Sequence, residues 1–322
     1  MSGENIMTSS GRPELKEPIL YSELLGSVRE AGLLRPRRAY YARLLAVNTA
    51  LLLTCLAAFA RLGDTWWQLL IAAALGAVFT QFGIVGHDAG HHQVARSRRP
   101  NYLLGALCTN LIIGFSFGWW VDKHRRHHAY PNHEGLDLDI GSKAIAFYPA
   151  AAAGRRGFAL TVCRYQAPIV ALALPLPVFR HADRQHPVRA PRPLLAQARR
   201  ACRPARELVP VPRVVFAVLS PWRAIGFVLV HQGVMGAYFG VLFAPNHKGM
   251  PRTSGAVPAN FFTRQVTASR NVRHGLIVDT MLGGLNYQTE HHLFPSMPRP
   301  SLKKAARWSA NAAGSMMRRT SR

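Results

Sequence analysis

Three short clusters, which contain eight of the 14 histidines, carry the clearest chemical signal in this sequence. They read His87-Asp-Ala-Gly-His91-His92, His124-Arg-Arg-His127-His128 and Gln288-Thr-Glu-His291-His292. Residues three or four positions apart share one face of a helix, so each cluster can direct several imidazoles to one place. Imidazole binds Fe, Zn, Cu and Ni, and a single zinc ion is saturated by about four ligands. Eight histidines therefore predict a site for two metal ions.

The remaining histidines carry a weaker signal. A single HxxHH pattern occurs by chance, and a lone histidine at the end of an apolar helix is usually a hydrogen-bonded interfacial residue. Three patterns, each at the boundary of an apolar segment, favour a metal site. His231 lies within an apolar segment, and we expect it to be buried and hydrogen-bonded rather than a ligand. Four others have no informative spacing: His133, His181, His186 and His274.

Two uncharged segments precede the first cluster and predict a transmembrane hairpin. They cover residues 44–60 and 67–86, and only a short linker with Arg61 and Asp64 joins them. Twenty residues at about 1.5 Å each cross a hydrocarbon layer of about 30 Å. Trp66 is then placed at the interface, where aromatic rings are enriched. A pair of buried helices in a soluble protein is the less favoured alternative.

The later apolar segments must leave the other two histidine clusters on the same side of the membrane as the first cluster. Residues 102–120 are expected to stay at the interface without crossing, because His124 has to rejoin His87. Two further passes are expected within residues 206–245; residues 158–179 with a single later pass are the alternative. We therefore predict an all-α integral membrane protein with about four transmembrane helices in two hairpins, and a cytosolic helical cap that holds the metal site.

The net charge of +25, from 40 Lys and Arg against 15 Asp and Glu, predicts the orientation. Basic loops favour the cytosolic side, and residues 96–99, residues 180–213 and the C-terminal tail are all rich in arginine. We therefore expect a multi-pass protein with the histidine clusters and both termini on the cytosolic side. A nucleic-acid partner is not expected, because no helix-turn-helix, zinc-finger or RNA-binding motif is present.

Composition along the chain suggests three parts. They are a cytosolic N-terminal arm (1–39), a membrane domain (40–305) with a cytosolic insertion at about 180–206, and a basic C-terminal tail (306–322). The arm lacks the pattern of a cleaved signal peptide. The four cysteines form no CxxC pair, so neither a disulfide framework nor a zinc knuckle is expected.

The histidine clusters resemble the three boxes of the membrane fatty-acid desaturase superfamily, HxxxH(H), HxxHH and (H/Q)xxHH, in the same order. The resemblance covers residues 40 to 305. Gln288 at the head of the third box resembles the front-end branch and the related acyl-CoA or acyl-lipid enzymes. Three further segments agree with it: His128-Ala-Tyr-Pro-Asn132, Asn246-His247-Lys-Gly-Met250 and Asn286-Tyr-Gln-Thr-Glu-His-His-Leu-Phe-Pro295.

This resemblance implies a di-iron centre, with O2 as co-substrate. The implied ligands are His87, His91, His92, His124, His127, His128, His247, His291 and His292, of which His92 is alternatively a neighbour of the ligands. Four residues are expected to support the ligands: Asn246, Gln288, Asp88 and Glu290. Pairing with nearby arginines at helix ends is the alternative role for the two acids.

The resemblance also implies an activity: the O2-dependent introduction of a double bond into an acyl-CoA or a lipid-linked acyl chain. The expected partners are this substrate, membrane lipids, and ferredoxin or a similar electron donor with its reductase. A separate donor is expected because no haem-binding segment and no GxGxxG motif is found. A hydroxylase or ketolase on the same scaffold is the nearest alternative. A metal transporter and an inactive homologue are more distant ones.

Overall fold

The computed structural model describes residues 16–141, 146–165, 211–255 and 260–320. Within these residues the regular elements are helices, which confirms the all-α prediction, and the one extended pairing is an isolated bridge between His133 and Thr253. In chain order the elements are α1 (Lys16–Glu30), α2 (Arg38–Leu62), α3 (Gln68–Gly90), α4 (Arg98–Ala106), a π-helical segment (Leu107–Ile113), α5 (Phe117–Ala129), α6 (Pro149–Ala152), α7 (Gly157–Arg164), α8 (Val211–Val218), α9 (Pro221–His247), α10 (Phe261–Ala268), α11 (Leu276–Met281), α12 (Gln288–Leu293) and α13 (Arg299–Thr320).

Three helices of the described residues, α2, α3 and α9, are long and apolar enough to cross a membrane. Leu53 on α2 is 60% exposed, as expected of a side chain that faces lipid rather than water. Helix α9 packs along α3, and Gly76 permits this close approach. A Cβ at this position would lie 2.7 Å from the carbonyl oxygen of His231. Small residues at such contacts are typical of helices that pack in membranes.

Polar contacts join the beginning of α9 to the turn between α2 and α3. The Asp64 carboxylate accepts hydrogen bonds from the backbone N–H of Ser220, at 2.9 Å, and from Arg223. Gln68 donates to the carbonyl of Gly63 at 2.9 Å and stabilises the turn itself. Both α3 and α9 start at this end. Their last residues, which carry histidines, therefore lie close together at the opposite end.

The segment between the first two boxes is a broken helix. The axes on either side of the break form an angle of 111°, and Gly114 adopts the left-handed backbone, with a φ of 93°. Asn110 accepts a hydrogen bond from the backbone of Phe117 at 2.7 Å, and Ser116 caps α5. This bend brings α5 back to the end of α3, as the sequence analysis required. Counted as one span, the bent pair would raise the number of candidate spans to four.

The later hairpin differs in detail from the prediction. A break at Ser220 was expected, and it separates α8 from α9. However, α9 is a single helix of 27 residues, whereas α8 has eight residues, or about 12 Å, which is too short to cross. The remainder of the predicted second pass, the segment 166–179 and the predicted insertion at 180–206 lie outside the described residues.

The cap is held together by an apolar cluster from both ends of the chain. Leu24 and Val28 of α1 pack with Phe262 of α10, Leu293 of α12 and Leu302 of α13. The described part of the predicted N-terminal arm is therefore a component of the cap. The predicted boundary between membrane domain and tail, at 305–306, falls inside α13; the three-part division stays a prediction.

Candidate metal centre

Four helices deliver the box histidines and His247 to one place. Box one covers the last turn of α3 and the two residues after it, box two lies on α5, box three lies on α12, and His247 is the last residue of α9. The i,i+4 spacing brings pairs of histidine rings together, as predicted. The rings of His87 and His91 lie 4.7 Å apart, and those of His124 and His128 lie 4.6 Å apart, between centroids.

Four histidines form the first histidine group. One ligand nitrogen from each of His87, His91, His124 and His291 lies within 4.8 Å of the others. The His291 ring is 4.7 Å from the His87 ring and 4.7 Å from the His91 ring. The group therefore combines imidazoles from all three boxes, as a single bound ion requires.

Three further histidines form the second histidine group, which consists of His127, His247 and His292. The ring of His247 lies 4.6 Å from that of His127 and 4.7 Å from that of His292. His128 lies between the two groups, with its ring 4.2 Å from His292 and 4.5 Å from His91. The adjacent residues of box three thus belong to different groups, and His128 of box two contacts both, which gives two candidate sites for metal.

The donor atoms of these side chains fit a pair of transition-metal ions. Burying an imidazole nitrogen without a hydrogen-bond partner is unfavourable, and metal ligation removes that cost. Among the described residues, several buried ring nitrogens of these histidines have no partner: Nε2 of His87, Nε2 of His91, Nδ1 of His128, both nitrogens of His291, and Nε2 of His292.

Electrostatics also favour metal binding. Burial, followed by the nearby imidazoles, lowers the pKa of His91, His291 and His292 well below the usual range. These rings are therefore neutral near pH 7, and a neutral imidazole has the free lone pair that a metal needs.

Each histidine of the second group has an acceptor near Nδ1. The Nδ1 of His127 lies 3.0 Å from the Asp137 carboxylate, that of His247 lies 2.9 Å from the carbonyl of Ala268, and that of His292 lies 2.9 Å from Oε1 of Gln265. Such partners fix the ring and direct Nε2 away from the acceptor, toward a metal. Gln265 was missed in the sequence analysis, because it is 27 positions from His292 in an unremarkable segment.

Asp88 supports the first group, and Gln288 contacts the second. The Asp88 carboxylate lies 3.3 Å from Nδ1 of His87, accepts a hydrogen bond from Tyr41 at 2.9 Å and pairs with Arg299. The Nε2 atoms of Gln288 and His247 are 2.9 Å apart. Asp88 thus contacts the outer ring nitrogen of a first-group histidine, whereas Gln288 contacts the Nε2 that His247 would offer to a metal.

Asn246 and Glu290 have different surroundings. Asn246 donates to Oε1 of Gln288 at 3.2 Å and to the carbonyl of Leu285 at 3.0 Å, so it holds Gln288 in place. Glu290 is buried and accepts hydrogen bonds from Asn271 and Ser309. Burial raises the pKa of Glu290, and these two hydrogen bonds oppose that shift. Glu290 thus anchors α12 rather than a box histidine.

Two other histidines depart from the expectations. His92 belongs to neither group: its side chain is exposed, and its φ of 60° turns the chain away after His91. His231 is buried as expected, and its ring lies 4.9 Å from that of Phe79. Its Nε2 has no hydrogen-bond partner among the described residues, so the expected hydrogen bond is not formed at that atom.

Comparison with known proteins agrees with this arrangement. The model of a family described as fatty acid desaturase matches residues 64–318, which include all three boxes and His247. The chain belongs to the fatty acid desaturase family. Members are oxidoreductases that use a pair of iron ions at their histidine boxes. The match confirms the resemblance, and this desaturase-family chain is a multi-pass membrane protein.

Individual relatives refine the comparison. The chain is 26% identical to an acyl-lipid (9-3)-desaturase from Physcomitrium patens, with 91% of this chain and 57% of that protein aligned. It is 26% identical to a delta(6)-fatty-acid desaturase from Caenorhabditis elegans (89% and 67% aligned) and 29% identical to a delta(5) fatty acid desaturase of that organism (88% and 65%). The chain thus spans between 57% and 67% of these relatives' lengths. Their names agree with the branch that Gln288 resembles.

Proposed function

We propose that this chain is a membrane-bound acyl desaturase, which removes one hydrogen from each of two adjacent carbons of an acyl-CoA or lipid-linked acyl chain. The convergence of seven imidazoles in two groups, at the ends of the two packed helices α3 and α9, carries the proposal. The acyl-lipid and fatty-acid substrates in the relatives' names support the same substrate class. Eight of the nine histidines named from the sequence remain the proposed ligand set, and His92 is now assigned outside it.

The two histidine groups are the proposed holders of two iron ions. When bound, the ions supply the O2-derived oxidant that an unactivated C–H bond needs and that side chains lack. His87, His127 and His292 would hold the ions in fixed positions, because their Nδ1 atoms are anchored by Asp88, Asp137 and Gln265. Electrons for this reaction are proposed to come from ferredoxin or a similar donor with its reductase.

Apolar side chains next to the first group are suited to an acyl tail. The ring of Trp120 lies 4.7 Å from that of His124, and the ring of Phe243 lies 6.4 Å from that of His87. Gly83 leaves room for Phe239, whose ring would lie 2.6 Å from a Cβ at that position. These side chains exclude water, and they would orient the target carbons toward the histidines.

The proposed orientation places the boxes and both termini on the cytosolic side. The described basic segments near the histidine end include Arg96, Arg98 and Arg99, whereas the opposite end has the Asp64 turn. Cytosolic loops are enriched in Lys and Arg. A cytosolic electron donor could then reach the centre directly.

Lipid mass spectrometry of cells that express the chain together with a reductase and donor tests the reaction. We expect acyl chains that have lost two hydrogens, absent from cells that express His291→Ala. A product that instead gains one oxygen would indicate the hydroxylase alternative and contradict the proposal. Unchanged lipids in cells whose membranes contain the iron-loaded protein would also contradict the proposal.

A further inference from the structure

A basic cleft of about 420 Å³ lies beside box one. Its walls come from the turn after α1, the loop after α3 and the segment after α12, and its polar side chains are Arg29, Arg35, His92, Arg96 and Ser296. We call it the arginine cleft. His92, which belongs to neither histidine group, lines this cleft.

The charges of the arginine cleft are unbalanced. No Asp or Glu lines it. In the part of the chain that the structure describes, Arg29, Arg35 and Arg96 make no ion pair and no side-chain hydrogen bond. Three unpaired guanidinium groups around one concave surface create a positive potential that attracts an anion. Arg98 and Arg125 add further positive charge beside His92.

The arginine cleft shares two chain segments with the candidate metal centre. His91 belongs to the first histidine group, whereas the next residue, His92, lines the cleft. On the other wall, Ser296 follows His292 of the second group by four positions. A ligand in the cleft is therefore held by the same short segments that hold the proposed metal ligands.

The arginine cleft also lies at the level of the membrane surface. Pro36 in its wall precedes the first residue of α2 by two positions, and His92 follows the last residue of α3 by two. Because α2 and α3 are candidate spans, their ends mark the boundary between hydrocarbon and headgroups. Phosphate groups of lipids, and of carriers bound at the surface, are found at this level.

We propose that the arginine cleft binds a phosphate group of the molecule that carries the acyl chain. This inference rests on the proposed function, which supplies the acyl substrate. Guanidinium N–H pairs match phosphate oxygens in bidentate hydrogen bonds. The phosphate belongs to a phospholipid headgroup or to CoA, and in both cases it holds the carrier at the surface while the acyl tail reaches the histidines.

Equilibrium binding to the purified, detergent-solubilised full chain tests this site. The probes are radiolabelled CoA and a radiolabelled lysophosphatidylcholine. The test variant is the double substitution Arg35→Gln and Arg96→Gln, both at exposed positions. The matched control is Arg307→Gln, an exposed arginine of α13 outside the cleft. Iron content is measured on every sample.

We expect the double variant to bind one of the two probes at least about tenfold more weakly, since two charge-assisted hydrogen-bonding groups are lost. The control and the iron content should not change, and the probe that is affected identifies the carrier. Equal affinities in all proteins, or no binding of either probe to the unmodified chain, would overturn the proposal. Probe binding through these arginines without any desaturated product would refute the proposed function instead.

Discussion

Substitution of His291 by Ala is expected to reduce product formation by at least about a hundredfold, while the protein still inserts into the membrane. His291 is fully buried, neither of its ring nitrogens has a hydrogen-bond partner, and its ring contacts His87, His91 and His128. Removing even a supporting partner of a metal ligand commonly costs 10–100-fold, so loss of a proposed ligand of the first group should cost at least as much.

The control for this substitution is His274→Ala, an exposed histidine that belongs to neither group. Both variants are compared with the unmodified chain for membrane-bound protein by immunoblot and for desaturated lipid by mass spectrometry. Retained product in the His291→Ala variant would remove His291 from the ligand set. An equal loss in the His274→Ala variant would show that the effect is not specific to the centre.

Substitution of Arg299 by Met is expected to give the largest loss of stability, on the order of 3–5 kcal/mol. Arg299 forms a buried ion pair with Asp88, with 4% and 1% of the side chains exposed. Without the guanidinium, a carboxylate next to His87 would be left buried, with only Tyr41 among the described residues as an additional hydrogen-bond donor. Removing one member of a buried pair is more damaging than replacing both, because the other charge stays uncompensated.

Lys303→Met is the matched control for Arg299→Met, since Lys303 lies on the same helix and pairs with Asp279 at 3.2 Å near the surface. An exposed pair contributes about 0–1 kcal/mol. Thermal unfolding of both variants in the same detergent should show a much larger fall in the midpoint for Arg299→Met. Similar midpoints for the two variants would mean that the buried pair does not hold α13 onto α3.

The parts of this structure that follow from local sequence were predictable. An uncharged segment of sufficient length specifies a span, and an i,i+4 pair such as His87 and His91 specifies a shared helix face. The need to bring His124 back to His87 even predicted the turn of the chain between boxes one and two. These inferences use only helix geometry and the cost of leaving backbone groups unpaired in lipid.

Other features depend on tertiary contacts that no spacing encodes. Gln265 and the carbonyl of Ala268 hold histidines from a distant helix, so nothing in their own segments marks them. The burial of α1 in the cap was not predicted, because its partners, such as Phe262 and Leu302, lie far away in the sequence. His92 matches the box pattern by type, yet its left-handed backbone sends it to the arginine cleft, and such a φ is set by the packing of the following loop.

The metal content of the purified chain tests the central claim most directly. Two histidine groups with neutral, buried imidazoles should hold two ions, and the family match indicates that these are iron. Elemental analysis of protein purified from iron-supplemented cells should therefore give about two iron ions per chain. A single zinc ion per chain, or no bound metal, would contradict the assignment of the two groups.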